Sequence, residues 1–162
     1  MAQTDAYVLG VGVSKFLKPK GEHPYTELGF EAGVKAMLDA QITYDDVKTG
    51  IGCFSAGETC SGQRVFYQFG MSTIPIYNTN NACATGSTGL HMARTLVRAG
   101  VADCILVIGS EQMAAGAIKG NAGDRPSAHE LMTNMMEETY GKHGSPRNCQ
   151  WFTNAGREYM EK

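Results

Sequence analysis

A thiol placed at the start of a helix is the strongest chemical feature of this chain. The stretch NTNNACATGSTGLHMARTLVRAG, residues 78–100, follows an apolar run, TIPIY, and leads into a helix of small residues. Cys83 stands where that helix is predicted to begin. Unpaired backbone N–H groups and the helix dipole favour the charged form of a thiol there, and the thiolate is the nucleophile. Ala82, Ala84, Gly86, Ser87, Gly89 and Ala93 leave the helix almost without girth over its first turns. Two glycines weaken such a helix by ~1 kcal/mol each against alanine, and close approach of other elements is the usual gain. The pattern predicts a thin helix delivering a nucleophile to a buried cleft, with a structural cysteine on a packing helix as the alternative.

The rest of the composition bounds what surrounds that thiol. The 162 residues suffice for one domain with a core, and 19% charged against 43% hydrophobic residues describes a globular rather than a disordered chain. Net charge is −2 and the Lys and Arg residues are scattered, which argues against nucleic acid as a partner. No apolar run approaches the ~20 residues of a membrane span. The opening, MAQTDAYVLG, lacks the charged start and long apolar block of a signal peptide. Five cysteines with no paired short spacing suggest neither a disulfide framework nor a zinc site, and point to a reducing compartment. Cys53, Cys60, Cys104 and Cys149 read as small buried or half-buried hydrophobes.

Alternating elements must position Cys83. AYVLGVGVSKF, from Ala6, reads as a strand. Its Gly10 and Gly12 serve a turn or close packing, because the third glycine and immediate helix of a dinucleotide fingerprint are missing. Leu28, Ala32, Ala36 and Ala40 recur at helical spacing, with Thr26 as the expected N-cap. After an acidic turn, TYDDVKTG, come a short strand, GIGCFSAG, and a short helix, QRVFYQFGM. TIPIYNTN is the third strand, and Pro75 suggests an edge or first-residue position. The small-residue helix spans about 84–98. CILVIG, from Cys104, then reads as a strand buried on both faces. Such alternation predicts an α/β fold, a mostly parallel sheet with helices on both faces.

After Met113 the texture changes. AAGAIKGNAGDRPSAHE reads as a long excursion. One helix then places Leu131, Met135 and Met136 on one side, and a second runs through Trp151, Ala155 and Tyr159. That last pattern reaches Lys162 with no stop signal, so a longer parent chain is expected. His91 lies two turns beyond Cys83, too far along the helix to reach it. His23, His129 and His143 fall in turn or loop contexts and read as surface residues.

NNACATGSTGLHMARTLVRAGVADCILVIGSEQM resembles the nucleophile segment of the thiolase superfamily, in particular the peroxisomal sterol-carrier-protein type, where Asn-Asn-x-Cys-x-Thr-Gly-Ser-Thr introduces the active helix. The resemblance extends through GVGVSKFLKP, TCSGQRVFYQFGMSTIPIYN and the final AGREYMEK. It implies a five-layer fold of two βαβαβαββ halves working as a dimer. Residues 1–116 of this chain would be the thiolase N-terminal domain (βαβαβαβ) bearing the nucleophile, and 117–162 the truncated start of the loop domain.

The resemblance also implies acetyl-CoA C-acyltransferase chemistry on 3-oxoacyl-CoA, within lipid and fatty-acid β-oxidation. Cys83 would be the nucleophile, with its backbone N–H donating to the oxyanion. Trp151 and Phe152 would begin the loop-domain helix that borders the pantetheine tunnel. No tightly bound cofactor is implied, only coenzyme A as co-substrate, and no metal. The partners would be acyl-CoA and CoA. A second copy would dock through the strand from 74 to 78 (Ile74, Pro75, Ile76, Tyr77, Asn78), or a chain carrying the C-terminal half would complete the fold.

The peroxisome is the implied location, although the final MEK is unlike Ser-Lys-Leu. The family's His-Asp-Ala-Phe or Asn-Glu-Ala-Phe, Gly-His-Pro and Cys-x-Gly loops do not occur here. The isolated chain is therefore expected to be an incompetent thiolase, since each lost proton-transfer group typically costs ~10² to 10⁴ in rate. The alternatives are a non-catalytic acyl-CoA- or lipid-binding subunit that needs a partner chain, and a thiolase-fold aldolase acting on steroid side-chain CoA thioesters. Retention of Cys83 counts against the aldolase, because a retro-aldol cleavage needs no acyl-enzyme.

Overall fold

The computed structural model describes residues 5–16, 23–112 and 126–162. Most of the excursion expected after Met113 lies outside the described residues. The chain divides into two compact units, Met1–Ala115 and Gly116–Lys162.

The first unit is built on three parallel strands, β1 (Thr49–Cys53), β2 (Ile76–Thr79) and β3 (Ile105–Gly109), in the order β2-β1-β3. Ile51 of β1 stands opposite Tyr77 on one side and Val107 on the other. Helix α1 (Tyr25–Ala40) precedes β1, and α2 (Ser61–Phe66) and α3 (Thr85–Arg98) connect the successive strands.

The sequence of β1, TGIGC, explains how helices cover both faces. Successive side chains of a strand point to opposite faces. Gly50 and Gly52 turn toward α2, where a Cβ on Gly50 would meet the Phe66 ring and one on Gly52 would lie 2.5 Å from the Gly62 Cα. Helix α2 therefore presses on the sheet backbone to backbone. Ile51 and Cys53 turn the other way, toward α3, where a Cβ on Gly89 would collide with Cys53 Sγ and stand 3.2 Å from Val107. The core on the α1/α2 side comprises Met37, Val47, Val65, Phe66, Leu106 and Ile108.

The expected α/β class holds, and three local expectations are corrected. The run from Ala6 does not enter the sheet, which has three strands, not four, among the described residues. Groups of α1 take the hydrogen-bonding partners a neighbouring strand would use: Val11 N–H donates to Asp39 Oδ2 (2.9 Å) and Lys35 Nζ to the Val13 carbonyl (3.1 Å). Gly10 and Gly12 fit against Ala32, Ala36 and Ala40 of α1, while Tyr7 (79%) and Val8 (78%) remain exposed. Second, Thr26 is no cap. Pro24 occupies the N-cap position of α1, and the Thr26 carbonyl accepts from Gln68 Nε2.

Third, β3 is an edge strand. Leu106 and Ile108 are buried, but Ile105 and Val107 on its other face are half-buried. The acidic turn falls where expected, as a 3₁₀ turn at Tyr44–Asp46 with a reciprocal capping box. The expectation for Pro75 agrees with what is observed: it precedes edge strand β2, and its carbonyl accepts from Gly50 N–H (2.9 Å).

The capping box sets a pH dependence. The Asp46 carboxylate accepts from Thr43 N–H (2.9 Å) and Thr43 Oγ1 (3.1 Å), which hold it below the usual carboxylate range. A carboxyl depressed in the folded state adds stability above its unfolded value, near ~3.9, and loses it as pH falls through the folded value. Asp46→Asn should lower the thermal midpoint at about pH 7, with the difference from native fading below about pH 4. Melting curves across that range check this.

The second unit holds α4 (Glu130–Tyr140) and α5 (Arg147–Glu161), which pack on each other. Pro146 caps α5, a position that suits its fixed φ. Buried Gln150 donates through Nε2 to the carbonyls of His143 and Ser145, closing the link between the helices. Among the described residues no helix is long and apolar enough to cross a membrane.

Candidate functional site: the cysteine turn

Parallel strands end together at their carboxyl edge, where α/β proteins place their sites. Side chains tie the three strand ends here. Asn80, just beyond β2, donates from Nδ2 to the Ser55 carbonyl (2.9 Å), and Ser55 N–H donates to Glu111 Oε2 (3.1 Å). Ser55 follows β1 and Glu111 follows β3. From this knot the chain turns through Asn81, Ala82 and Cys83 into α3.

The turn is pinned on its helix side as well. Asn81 N–H donates to Thr85 Oγ1 (2.8 Å), and that hydroxyl donates to the Ala82 carbonyl (2.6 Å). Asn81 Nδ2 donates to Thr88 Oγ1 (3.0 Å), which donates to the Ala84 carbonyl (2.9 Å). The N–H groups of Ala84 and Thr85 donate to the carbonyls of Asn81 and Ala82. Ala82 has φ +46°, a left-handed conformation that costs a non-glycine residue of order 1–3 kcal/mol. The N–H of Cys83 takes no part in these bonds.

Cys83 therefore sits two residues ahead of α3, with Ala84 as the N-cap. Its environment differs from the expected buried cleft: the residue is exposed. Only one face of α3 meets the sheet. Gly89 is buried there, whereas Leu90 is 61% exposed, and nothing lies within 4 Å of a Cβ on Gly86. Close approach thus accounts for one of the two glycines. Two hollows among the described residues lie away from the turn, one of about 290 Å³ beside Arg94 and Arg98 and one of about 380 Å³ beside Tyr44 and Met71.

The other cysteines separate into two kinds. Cys53 is buried and Cys104 half-buried, and burial pushes both thiols up, with Thr79 Oγ1 (3.2 Å) partly opposing this at Cys53 and the Asp46 charge adding to it at Cys104. Cys60 and Cys149 are exposed, contrary to the expectation of buried small hydrophobes, because Cys60 stands in a left-handed N-cap position and Cys149 on an outer turn of α5. His23, His129 and His143 lie at the surface, as expected, and His91 is exposed as well.

Trp151 and Phe152 lie on α5 in the second unit, whereas Cys83 lies in the first. Trp151 is half-buried against the His129 ring (centroids 5.1 Å), and Phe152 is 81% exposed. Among the described residues no group of His, Cys, Asp and Glu side chains could hold a metal ion. The sequence reading missed Ser55, Asn80, Asn81, Thr85, Thr88 and Glu111. Three of these carried a signal, since Asn81, Thr85 and Thr88 recur at four- and three-residue spacing, which places them on one side of a helical start.

The fold and this turn define an α/β protein that presents an exposed cysteine at the carboxyl edge of a parallel sheet. The family model described as "Thiolase, N-terminal domain" matches residues 11–144, and the chain belongs to the thiolase family. Sterol carrier protein 2 of Bos taurus is 44% identical over 158 residues, covering 96% of this chain and 29% of that protein. The chain thus spans about three tenths of that relative's length. An acetyl-CoA acetyltransferase of Methanocaldococcus jannaschii is 33% identical over 67% of this chain and 29% of its own. Among solved structures, the Ltp2-ChsH2(DUF35) aldolase superposes with a TM-score of 0.68 at 18% identity, over 97% of this chain and 38% of that one.

Proposed function

We propose that this chain is the N-terminal part of an acetyl-CoA C-acyltransferase, a 3-oxoacyl-CoA thiolase of lipid oxidation that works through an acyl-enzyme on Cys83. The observation that carries this reading is the cysteine turn. It holds an exposed thiol beside a strained residue and engages the backbone groups around it, and among the described residues no hydrogen bond from the Cys83 N–H is found.

The Cys83 thiolate attacks the 3-oxo carbon of the acyl-CoA, and the Cys83 N–H donates to the oxyanion that forms. One such donor is commonly worth ~3 kcal/mol in rate terms. The C2–C3 bond then breaks, acetyl-CoA leaves as its enolate and is protonated, and the acyl group remains as a thioester on Cys83. Coenzyme A attacks that thioester and releases the shortened acyl-CoA. A chain carrying the C-terminal half would supply the acid and base.

In this reading a second copy pairs with the open edge of β2, which would otherwise invite uncontrolled strand addition. Trp151 and Phe152 border the pantetheine arm of CoA. Peroxisomal lipid oxidation is the proposed setting, resting on the resemblance to the sterol-carrier type alone.

A second reading is carbon–carbon cleavage of a CoA thioester without an acyl-enzyme, a reaction compatible with a fold that an aldolase shares at 18% identity. Incubation with acetoacetyl-CoA and CoA, together with a chain bearing the C-terminal half, separates the two. The thiolase reading expects acetyl-CoA formation and an acetylated Cys83 peptide by mass spectrometry, both lost to background (~10³-fold or more) in Cys83→Ala. With a 3-hydroxyacyl-CoA in place of acetoacetyl-CoA, cleavage to acetyl-CoA and an aldehyde that survives Cys83→Ala favours the aldolase. Absence of both turnover and acetylation overturns catalysis at Cys83.

A further inference from the structure

We infer that Thr85 is a positioning residue for Cys83, and that Asn81 and Thr88 complete its clamp. This rests on the reading of Cys83 as the nucleophile. Thr85 is 5% exposed, and its hydroxyl both accepts from Asn81 N–H and donates to the Ala82 carbonyl, so it grips the chain on each side of the Ala82 α-carbon. Ala82 is the residue held at φ +46°, and it immediately precedes the nucleophile. Without the hydroxyl, the bonds of Ala84 and Thr85 N–H to the carbonyls of Asn81 and Ala82 are left to oppose relaxation of Ala82 out of the left-handed region, and the Asn81 N–H loses its partner. Relaxation there would rotate Cys83 away from its orientation before α3. The second hydroxyl, on Thr88, holds the Asn81 side chain and the Ala84 carbonyl, so both ends of the turn are fixed from one helix face.

The clamp also gives the Asn-Asn pair two separate tasks. Asn80 faces the sheet through Ser55, and Asn81 faces the helix through Thr85 and Thr88. A nucleophile suspended between two such anchors keeps its geometry without being enclosed.

The test is the rate of iodoacetamide labelling at Cys83 in the 162-residue chain, read peptide by peptide against the exposed Cys60 and Cys149. Thr85→Val removes only the hydroxyl and should slow Cys83 about ten-fold while leaving Cys60 and Cys149 unchanged. Thr85→Ser restores the hydroxyl and should label at the native rate. Adding Ala82→Gly to Thr85→Val should recover at least about three-fold, because glycine takes positive φ without a Cβ penalty. Native labelling in Thr85→Val, no rescue by serine, or no recovery by glycine each overturns the proposal. Should Thr85→Val fail to fold, as rapid labelling of buried Cys53 would reveal, half-buried Thr88→Val replaces it. A roughly three-fold slowing is then expected, and an unchanged rate overturns the clamp. If native Cys83 labels no faster than Cys60 and Cys149, it is the nucleophile reading that fails, independently of Thr85.

Discussion

Gly89→Ala should lower the stability of the chain by about 1–3 kcal/mol in urea denaturation, although alanine is the better helix former. The new methyl would collide with Cys53 Sγ, with Val107 and Ile51 at 3.2 and 3.4 Å behind it. Cys53 is buried on the central strand, so its sulfur has little room to withdraw. The overlap must be relieved by lifting α3, which carries the cysteine turn. Cys53→Ala removes the obstructing atom, and the double variant should recover about 1 kcal/mol or more relative to the sum of the two single changes. Gly86→Ala provides the opposite sign on the same helix. Nothing lies within 4 Å of its new methyl, so the change should stabilise by about 0.5–1 kcal/mol through the backbone alone. Equal effects at Gly86 and Gly89 would contradict this account of the packing.

Phe66→Ala should cost about 3–5 kcal/mol. Phe66 is fully enclosed and anchors α2, a helix of six residues that is far too short to persist by itself. Its ring lies over Gly50, and neither Gly50 nor Gly52 has a side chain that could fill the vacated space. The cavity would therefore stay open, which puts the loss toward the upper part of the range for such deletions. Phe66→Leu, which keeps most of the volume, should cost about 1.5 kcal/mol or less. Urea denaturation of the two variants checks the pair, and a loss under about 1 kcal/mol for Phe66→Ala would show that α2 does not depend on this ring.

Elements with strong periodicity were legible in the sequence. The helices now bounded at Tyr25–Ala40 and Thr85–Arg98, and the strands at Thr49–Cys53 and Ile105–Gly109, fall where the apolar spacing put them. The run from Ala6 shows the limit of that signal. Its composition is that of a strand, but sheet membership depends on which backbone accepts it, and Asp39 and Lys35 of α1 hold it instead. Cys83 was legible because a thiol before a small-residue helix is locally unusual. Its clamp was legible only in part: the spacing of Asn81, Thr85 and Thr88 put them on one side of the helical start, but which groups their side chains hold emerges only when the turn folds back on them. Likewise Ser55 and Glu111 lie 28 and 28 residues from Cys83 on either side, and only the sheet brings their strand ends to one edge.

The exposure of Cys60, Cys83 and Cys149 bears on how this chain must be handled. In air, surface thiols couple between molecules, and three per chain permit branched covalent aggregates as well as pairs. A band at twice the chain mass on a non-reducing gel would then say nothing about strand pairing at β2. Assembly must be measured under reductant, or in a Cys60→Ser, Cys149→Ser background that leaves Cys83 as the one exposed thiol among the described residues.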